Sequence, residues 1–341
     1  MEQQLDGAGW APLSVEFAPL EGITKAVFRR VHRRMFSGVA RYYAPFLSPT
    51  GDGFFSQKEL REILPENNGD VPLVPQLLTA RAEHFRWAAG ELRAMGYQTV
   101  NLNLGCPSGT VVSKHKGAGA LGNSDELRAL LWGVFDSAEQ AGVRVSVKTR
   151  LGLENGEIWP LLVEIYNDFP LEELIIHPRT GRQLYRGAPD RAAFAWALER
   201  LAAPVCYNGD LFTLPQINAF RAAFPTVKTV MLGRGLAANP ALARQTAGGA
   251  PLKPEELQFF HDALLADYAA RVQGDGNVLA RMKELWEYFS AMLPGCARPL
   301  KALRKTRTLA EYRAAAAALF AQCPVDPARG FCPAAGGETH A

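Results

Sequence analysis

The sequence predicts a (β/α)8 barrel followed by a small all-α domain. Three observations carry this reading. Eight short β-branched or apolar runs alternate with amphipathic stretches, a pattern that implies parallel strands joined by helical crossovers. The eight units occupy about 235 residues, the size of such a barrel. Strand signals then stop at a cluster of Gly248, Gly249, Pro251 and Pro254, beyond which only helical periodicity continues. A doubly wound open sheet is the alternative arrangement of the same units.

The strand candidates are Val15–Ala18, Val39–Tyr43, Leu73–Leu77, Thr99–Leu104, Val143–Thr149, Leu174–His177, Val205–Tyr207 and Thr229–Leu232. The clearest intervening helices are Ala82–Met95, Asp125–Ala141, Ile158–Phe169, Arg191–Ala202 and Leu214–Phe224. Glu255–Val272, Val278–Met292 and Pro299–Phe320 form the helical part, interrupted at Gly274-Asp275-Gly276 and Pro294-Gly295. The expected organisation is a catalytic barrel over residues 1–247, a helical domain over 248–322 and a flexible tail over 323–341.

Composition narrows the class. With 341 residues, 48% hydrophobic and 21% charged, the chain folds without needing disulfides or a structural metal. No apolar run approaches the roughly 18 residues that span a bilayer, so no membrane association is expected. Met1 to Trp10 lacks a basic start followed by an apolar stretch, so no secretion signal is read there. Cys106, Cys206, Cys296, Cys323 and Cys332 contain no Cys-x-x-Cys pair. That argues against a zinc or iron–sulfur site and predicts a reducing cytoplasm. A net charge of +3 is too small to declare a nucleic-acid binder.

In such a barrel, chemistry collects where strands end. Polar groups appear there on most strands: Pro19-Leu20-Glu21-Gly22, Gln76, Asn101 and Asn103 before Gly105-Cys106-Pro107-Ser108, Lys148 and Arg150, His177 and Arg179, Asn208-Gly209-Asp210, and Gly233-Arg234-Gly235. Each alone has an ordinary explanation. Lys148 in an alternating strand would usually face solvent, His177 would be a satisfied core histidine, and Cys106 an inert thiol. Seven such ends on one rim imply a site. Gly233-Arg234-Gly235 and Asn208-Gly209 fall where these barrels hold phosphate, with open backbone amides and one cationic fork. Gly117-Ala118-Gly119-Ala120-Leu121 follows no strand and is not a dinucleotide fingerprint.

Taken in order, these segments resemble the dihydrouridine synthases, flavin enzymes that reduce uridines in transfer RNA. The resemblance rests on Phe17-Ala18-Pro19-Leu20-Glu21-Gly22, Gln76, Asn101-Leu102-Asn103-Leu104-Gly105-Cys106-Pro107, Lys114, Gly117–Leu121, Val147-Lys148-Thr149-Arg150, His177-Pro178-Arg179-Thr180, Tyr207-Asn208-Gly209-Asp210 and Leu232-Gly233-Arg234-Gly235. It implies FMN over the barrel mouth. Pro19, Leu20 and Gln76 would contact its ring, Lys148 its pyrimidine edge, with His177 nearby and Asn208, Gly209, Asp210, Gly233 and Arg234 around its phosphate. Asn103 and Arg179 would hold the uracil, Cys106 would be the general acid, and NADPH the reductant. The chain departs from the family at Pro178, where a small residue is usual, and between Phe46 and Asn68.

The chemistry agrees with the residues. Saturating the C5–C6 bond of uracil requires a hydride, which no side chain supplies, and a proton, which a thiol with a pKa near 8.5 can donate. Nearby Lys114, His115 and Lys116 would lower that pKa, so they are expected to face RNA phosphates instead. Extracting a uridine from folded RNA costs a few kcal/mol and needs contacts elsewhere. Arg298, Lys301, Arg304, Lys305 and Arg307 supply a local basic face; Lys25, Arg29, Arg30, His32, Arg33 and Arg34 form a second run. The expected partner is tRNA, with ribosomal RNA open, and the expected state is a monomer without metal. A flavin barrel acting on a free pyrimidine and a non-catalytic RNA-binding protein are the rival readings.

Overall fold

A computed structural model describes residues 12–50 and 53–333. Nine hydrogen-bonded strands form one parallel sheet: β1 (Ser14–Phe17), β2 (Val39–Tyr43), β3 (Leu73–Val74), β4 (Gln76–Leu77), β5 (Thr99–Leu104), β6 (Arg144–Arg150), β7 (Glu173–His177), β8 (Val205–Tyr207) and β9 (Thr229–Leu232). β3 and β4 are the two halves of one predicted strand, divided at Pro75, which has no N–H to give. β2 pairs with β3 and β4 with β5, while β9 pairs with both β1 and β8. The eight staves therefore close into a barrel, in chain order, and the open-sheet alternative is set aside.

Alternation places one side chain in two inside the barrel. Leu102, Leu104, Val145 and Val147 are buried in the large core that includes the surrounding helices. Ala18, Tyr43, Val74, Ile175, Cys206 and Met231 form a separate cluster inside. Toward the strand starts the interior turns polar: Glu16 and Glu173 are buried beside Cys206, Tyr43 and Arg41. Burial first, then their mutual repulsion, raises the Glu16 carboxyl well above its ordinary range. This is the bottom of the barrel, away from the functional end.

The helical domain comprises Pro254–Arg271, Asp275–Phe289, Ala297–Arg304 and Leu309–Gln322. The single helix expected over Pro299–Phe320 is two, because Thr308 caps a new helix by accepting from Glu311 N–H while Glu311 reaches back to the Thr308 N–H. This domain docks on the helix Ala26–Met35 through aromatic edges: Phe260 lies 5.4 Å from Phe28 and 5.4 Å from Phe36. Three of the six residues of the second basic run are engaged at this helix. Arg29 is buried against Thr24, Glu62 and Asn68, Arg30 pairs with Asp267, and His32 is enclosed between Tyr42 Oη (2.7 Å) and the Pro240 carbonyl (2.9 Å).

The tail expectation needs correction over part of its length. Residues 323–333 are packed: Cys323, Val325 and Phe331 are buried, and Asp326 N–H donates to the Met292 carbonyl at 2.8 Å. Their apolar contacts outweigh the Gly/Pro/Ala character that suggested a tail. Residues 334–341 lie outside the described set. No helix among the described residues is long and apolar enough to cross a membrane.

Candidate active site at the barrel mouth

A cleft of about 280 Å3 opens at the C-terminal ends of the strands. It collects most of the sequence candidates. Pro19 and Leu20 follow β1, Gln76 comes from β4, Asn103 and Cys106 from β5 and its loop, and Lys148 from β6. His177 comes from β7, Asn208, Gly209 and Asp210 follow β8, and Gly233 and Arg234 follow β9. The rim residues singled out in the sequence form one continuous lining.

An amide ladder fixes one wall. Asn101 Nδ2 donates to Ser146 Oγ (2.8 Å), Gln76 Nε2 to Asn101 Oδ1 (2.7 Å), and Asn103 Nδ2 to Gln76 Oε1 (2.8 Å). Asn103 Oδ1 then accepts from the N–H groups of Gly105 (3.0 Å) and Cys106 (2.9 Å). Asn103 is thus the anchor of the Cys106 loop, with its amide oxygen committed. From the other side, the Ala118 N–H donates to the Cys106 carbonyl at 2.9 Å. Gly117 must be glycine: its φ is +56°, and a Cβ there would lie 2.7 Å from the Cys106 carbonyl oxygen. The Gly117–Leu121 segment therefore supports the thiol loop.

Cys106 is half-buried. Burial pushes its thiol above the ordinary cysteine range, opposed by a hydrogen bond from the Ser108 backbone and by Arg150 and Lys148. At neutral pH it is a thiol with a proton to give. The expected tension with Lys114–Lys116 is resolved by placement. Lys116 donates to Ser48 Oγ at 3.0 Å and His115 is exposed near Glu126, and neither appears in the lining.

Four cations surround the opposite half of the cleft. Lys148 points inward, and its ammonium has no hydrogen-bond or ion-pair partner among the described residues; burial, then Arg150, lowers its pKa to about 8. Arg150 has no carboxylate partner among the described residues and donates to the carbonyls of Gly105 (2.9 Å), Thr180 (2.8 Å) and Leu184 (2.8 Å). Asp210, held at a left-handed φ of +36°, accepts from both Arg179 and Arg234. Arg234 is further enclosed by the rings of Tyr185 (4.4 Å), Phe212 (5.2 Å) and Phe331 (5.1 Å). His177 is neutral, its pKa driven well down by burial and then by these four cations. Arg179 Nη1 donates to His177 Nε2 at 3.1 Å, which leaves the proton on Nδ1.

This lining fits an anionic, phosphate-bearing ring cofactor. Three cations (Lys148, Arg150, Arg234) face two carboxylates (Glu21, Asp210), and Lys148 is uncompensated. Gly233 leaves a cradle that a side chain would fill, since a Cβ would sit 3.3 Å from Leu20 Cδ2 and 3.4 Å from Ala18 Cβ. A flavin with its phosphate at Gly209, Gly233 and Arg234 suits both features.

Against this geometry, the sequence model of the dihydrouridine synthase (Dus) family matches residues 16–319. The chain belongs to the dihydrouridine synthase family. Among curated relatives, a probable tRNA-dihydrouridine synthase 1 of Synechocystis sp. is 33% identical over 58% of this chain and 54% of its own length. A probable tRNA-dihydrouridine synthase of Rhodobacter capsulatus is 27% identical over 88% of this chain and 94% of its own. A tRNA-dihydrouridine(16) synthase of Ralstonia nicotianae is 26% identical, covering 86% and 92%. A solved structure of morphinone reductase in complex with tetrahydroNAD superposes with a TM-score of 0.50 at 12% identity, covering 72% of this chain and 87% of that one. That likeness shows the TIM-barrel fold.

Not every candidate reaches the cleft. Arg179 is buried beneath it and donates to Asp210 and, at 2.5 Å, to the Gly187 carbonyl, so it shapes the site from behind. Lys114 stands outside the lining, on the loop after Cys106. Lys301, Arg304 and Lys305 are exposed on the helical domain, while Leu300 and Leu303 beside them are buried. Lining residues that carried no assigned role in the sequence include Arg150, Tyr185 and Tyr288. Arg150 was visible two positions after Lys148, where period-2 alternation turns both inward. Tyr185 sits in an irregular loop behind Leu184, whose φ is +51°, and no periodicity marks it.

Proposed function

We propose that this protein reduces the C5–C6 double bond of specific uridines in tRNA to 5,6-dihydrouridine, using FMN and, as reductant, NADPH. The observation that carries the reading is a protonated, half-buried Cys106 facing the same cleft as the uncompensated Lys148. Held by these residues and reduced, a flavin would supply the hydride needed at uracil C6. Cys106 stands as the general acid and gives its thiol proton to C5, which completes the addition of H2 across the bond.

The other residues prepare that transfer. Asn103 holds the Cys106 loop through two N–H groups. Pro19, Leu20 and Gln76 line the ring side, while Asn208, Gly209, Asp210, Gly233 and Arg234 form the phosphate end. Lys148 offers charge to the electron-rich pyrimidine edge. His177, neutral with its Nδ1 proton, is a donor that adds no charge. Arg150 and Tyr185 line the same cleft.

The RNA side is supported by charge. Arg298, Lys301, Arg304, Lys305 and Arg307 are exposed and form no ion pair with any described residue. With ten Lys or Arg against eight Asp or Glu between residues 251 and 322, that attraction is local and salt-sensitive. Arg179 enters as a positioning residue in place of a direct uracil contact.

The test is a dihydrouridine map of total RNA with and without the gene. Loss of the modification at one or a few tRNA uridines supports the proposal and names the target. Loss confined to ribosomal RNA changes the RNA class. An unchanged map, where no second synthase covers the same sites, sinks the RNA reading in favour of a small-molecule flavoenzyme.

A further inference from the structure

The family match ends at residue 319, yet the described residues continue to 333 and reach side chains that line the cleft. This segment is a strap between the two domains. Its first half is tied to the helical domain, where Asp326 N–H donates to the Met292 carbonyl (2.8 Å) and Arg329 Nε to the Ala291 carbonyl (3.1 Å). Its second half lies on the barrel. A Cβ on Gly330 would sit 2.4 Å from the Phe212 carbonyl oxygen and 2.7 Å from Thr213 Cγ2, so only glycine permits this approach. Phe331 is thereby delivered, buried, 5.4 Å from the Phe212 ring and 5.7 Å from Tyr288.

What Phe331 meets there is Arg234, whose guanidinium carbon lies 5.1 Å from the ring centroid. A partly buried guanidinium needs electron-rich neighbours to offset its reduced hydration. A second carboxylate would provide them but would compete with a bound phosphate. Aromatic faces attract the cation without adding negative charge. With Asp210 on one edge and the rings of Tyr185, Phe212 and Phe331 around it, Arg234 is confined to one orientation.

We propose that Phe331, carried by the strap over residues 323–333, is a positioning residue for phosphate recognition: it fixes Arg234 at the phosphate end of the cleft, so a segment beyond the family match completes the cofactor site. The inference rests on the flavin reading above. It says that phosphate selectivity depends on contacts outside the barrel.

The experiment titrates the full-length flavin-free protein with FMN and with riboflavin, which lacks the phosphate, following flavin fluorescence. Phe331→Leu keeps an apolar side chain but removes the ring face. FMN should bind about three- to tenfold more weakly, riboflavin should bind unchanged, and Phe331→Tyr should restore FMN affinity to within about twofold. Phe331→Met repeats the test if the leucine variant folds poorly. Equal FMN affinity in variant and parent overturns the inference, as does an equal weakening for FMN and riboflavin, which marks general loosening. A parent that binds neither flavin contradicts the flavin reading itself and the inference with it.

Discussion

Cys106 and Lys148 face one cleft, and burial disfavours the charged form of each, raising the thiol and lowering the ammonium. For an acid, that keeps the proton available; activity should therefore fall on the alkaline side, as pH rises through the raised thiol pKa. Cys106→Ala should slow single-turnover uridine reduction by about 10²- to 10⁴-fold while flavin binding is retained. Stopped-flow reoxidation of the reduced flavin by tRNA measures it, and a rate within a few-fold of the parent would remove Cys106 from the acid role. Lys148 gives the complementary prediction. Its pKa of about 8 means that the ammonium loses its proton within the accessible pH range, and an anionic ligand prefers the charged form. FMN affinity should therefore weaken as pH rises above about 8, with proton uptake on binding there. Calorimetry in buffers of different ionisation enthalpy reads that uptake directly. Lys148→Met should bind FMN more weakly and lose this pH dependence.

Supporting elements decide where those side chains stand. The ladder from Ser146 through Asn101, Gln76 and Asn103 joins β4, β5 and β6 to the Cys106 loop, and the short helix at Gly117–Gly122 closes on it from behind. Gly117→Ala forces a side chain to a φ of +56° and against the Cys106 carbonyl. It should cost about 1–3 kcal/mol in urea unfolding and lower kcat, with flavin affinity little changed, since the phosphate end is remote. This element also shows what the sequence conveyed. Strands such as Val39–Tyr43 and Thr99–Leu104 were legible to the residue, because short runs of β-branched, aromatic and other apolar residues outline them. The cleft residues at their ends followed from period 2. Gly117–Leu121 was recognisable as a pattern, but its packing on Cys106 is tertiary and has no local signal. The same holds for Tyr185, placed by carbonyl bonds from Arg150 and Arg179, and for Phe331, whose Gly/Pro/Ala-rich surroundings read as a tail.

At the scale of the whole molecule, the helical domain is bolted to the barrel by Phe28, Phe36 and Phe260, the Arg30–Asp267 pair and the strap. Of the second basic run, Arg30 is tied into this junction, whereas Arg298, Lys301, Arg304, Lys305 and Arg307 are exposed and form no ion pair with any described residue, which on the proposed reading leaves them available to RNA. Replacing Lys301, Arg304 and Lys305 by alanine should weaken tRNA binding broadly. It should also reduce the slope of log affinity against log salt by about 1 for each RNA phosphate that is no longer neutralised. An unchanged slope would move the RNA interface to the rim near Lys114. The measurement that bears most directly on the central claim uses the purified, flavin-loaded protein with NADPH. It quantifies dihydrouridine formed on an unmodified tRNA transcript and on free uridine. The account predicts product on the transcript, little or none on free uridine, and loss of the product with Cys106→Ala; turnover of free uridine at a comparable rate, or product unaffected by the loss of Cys106, would contradict it.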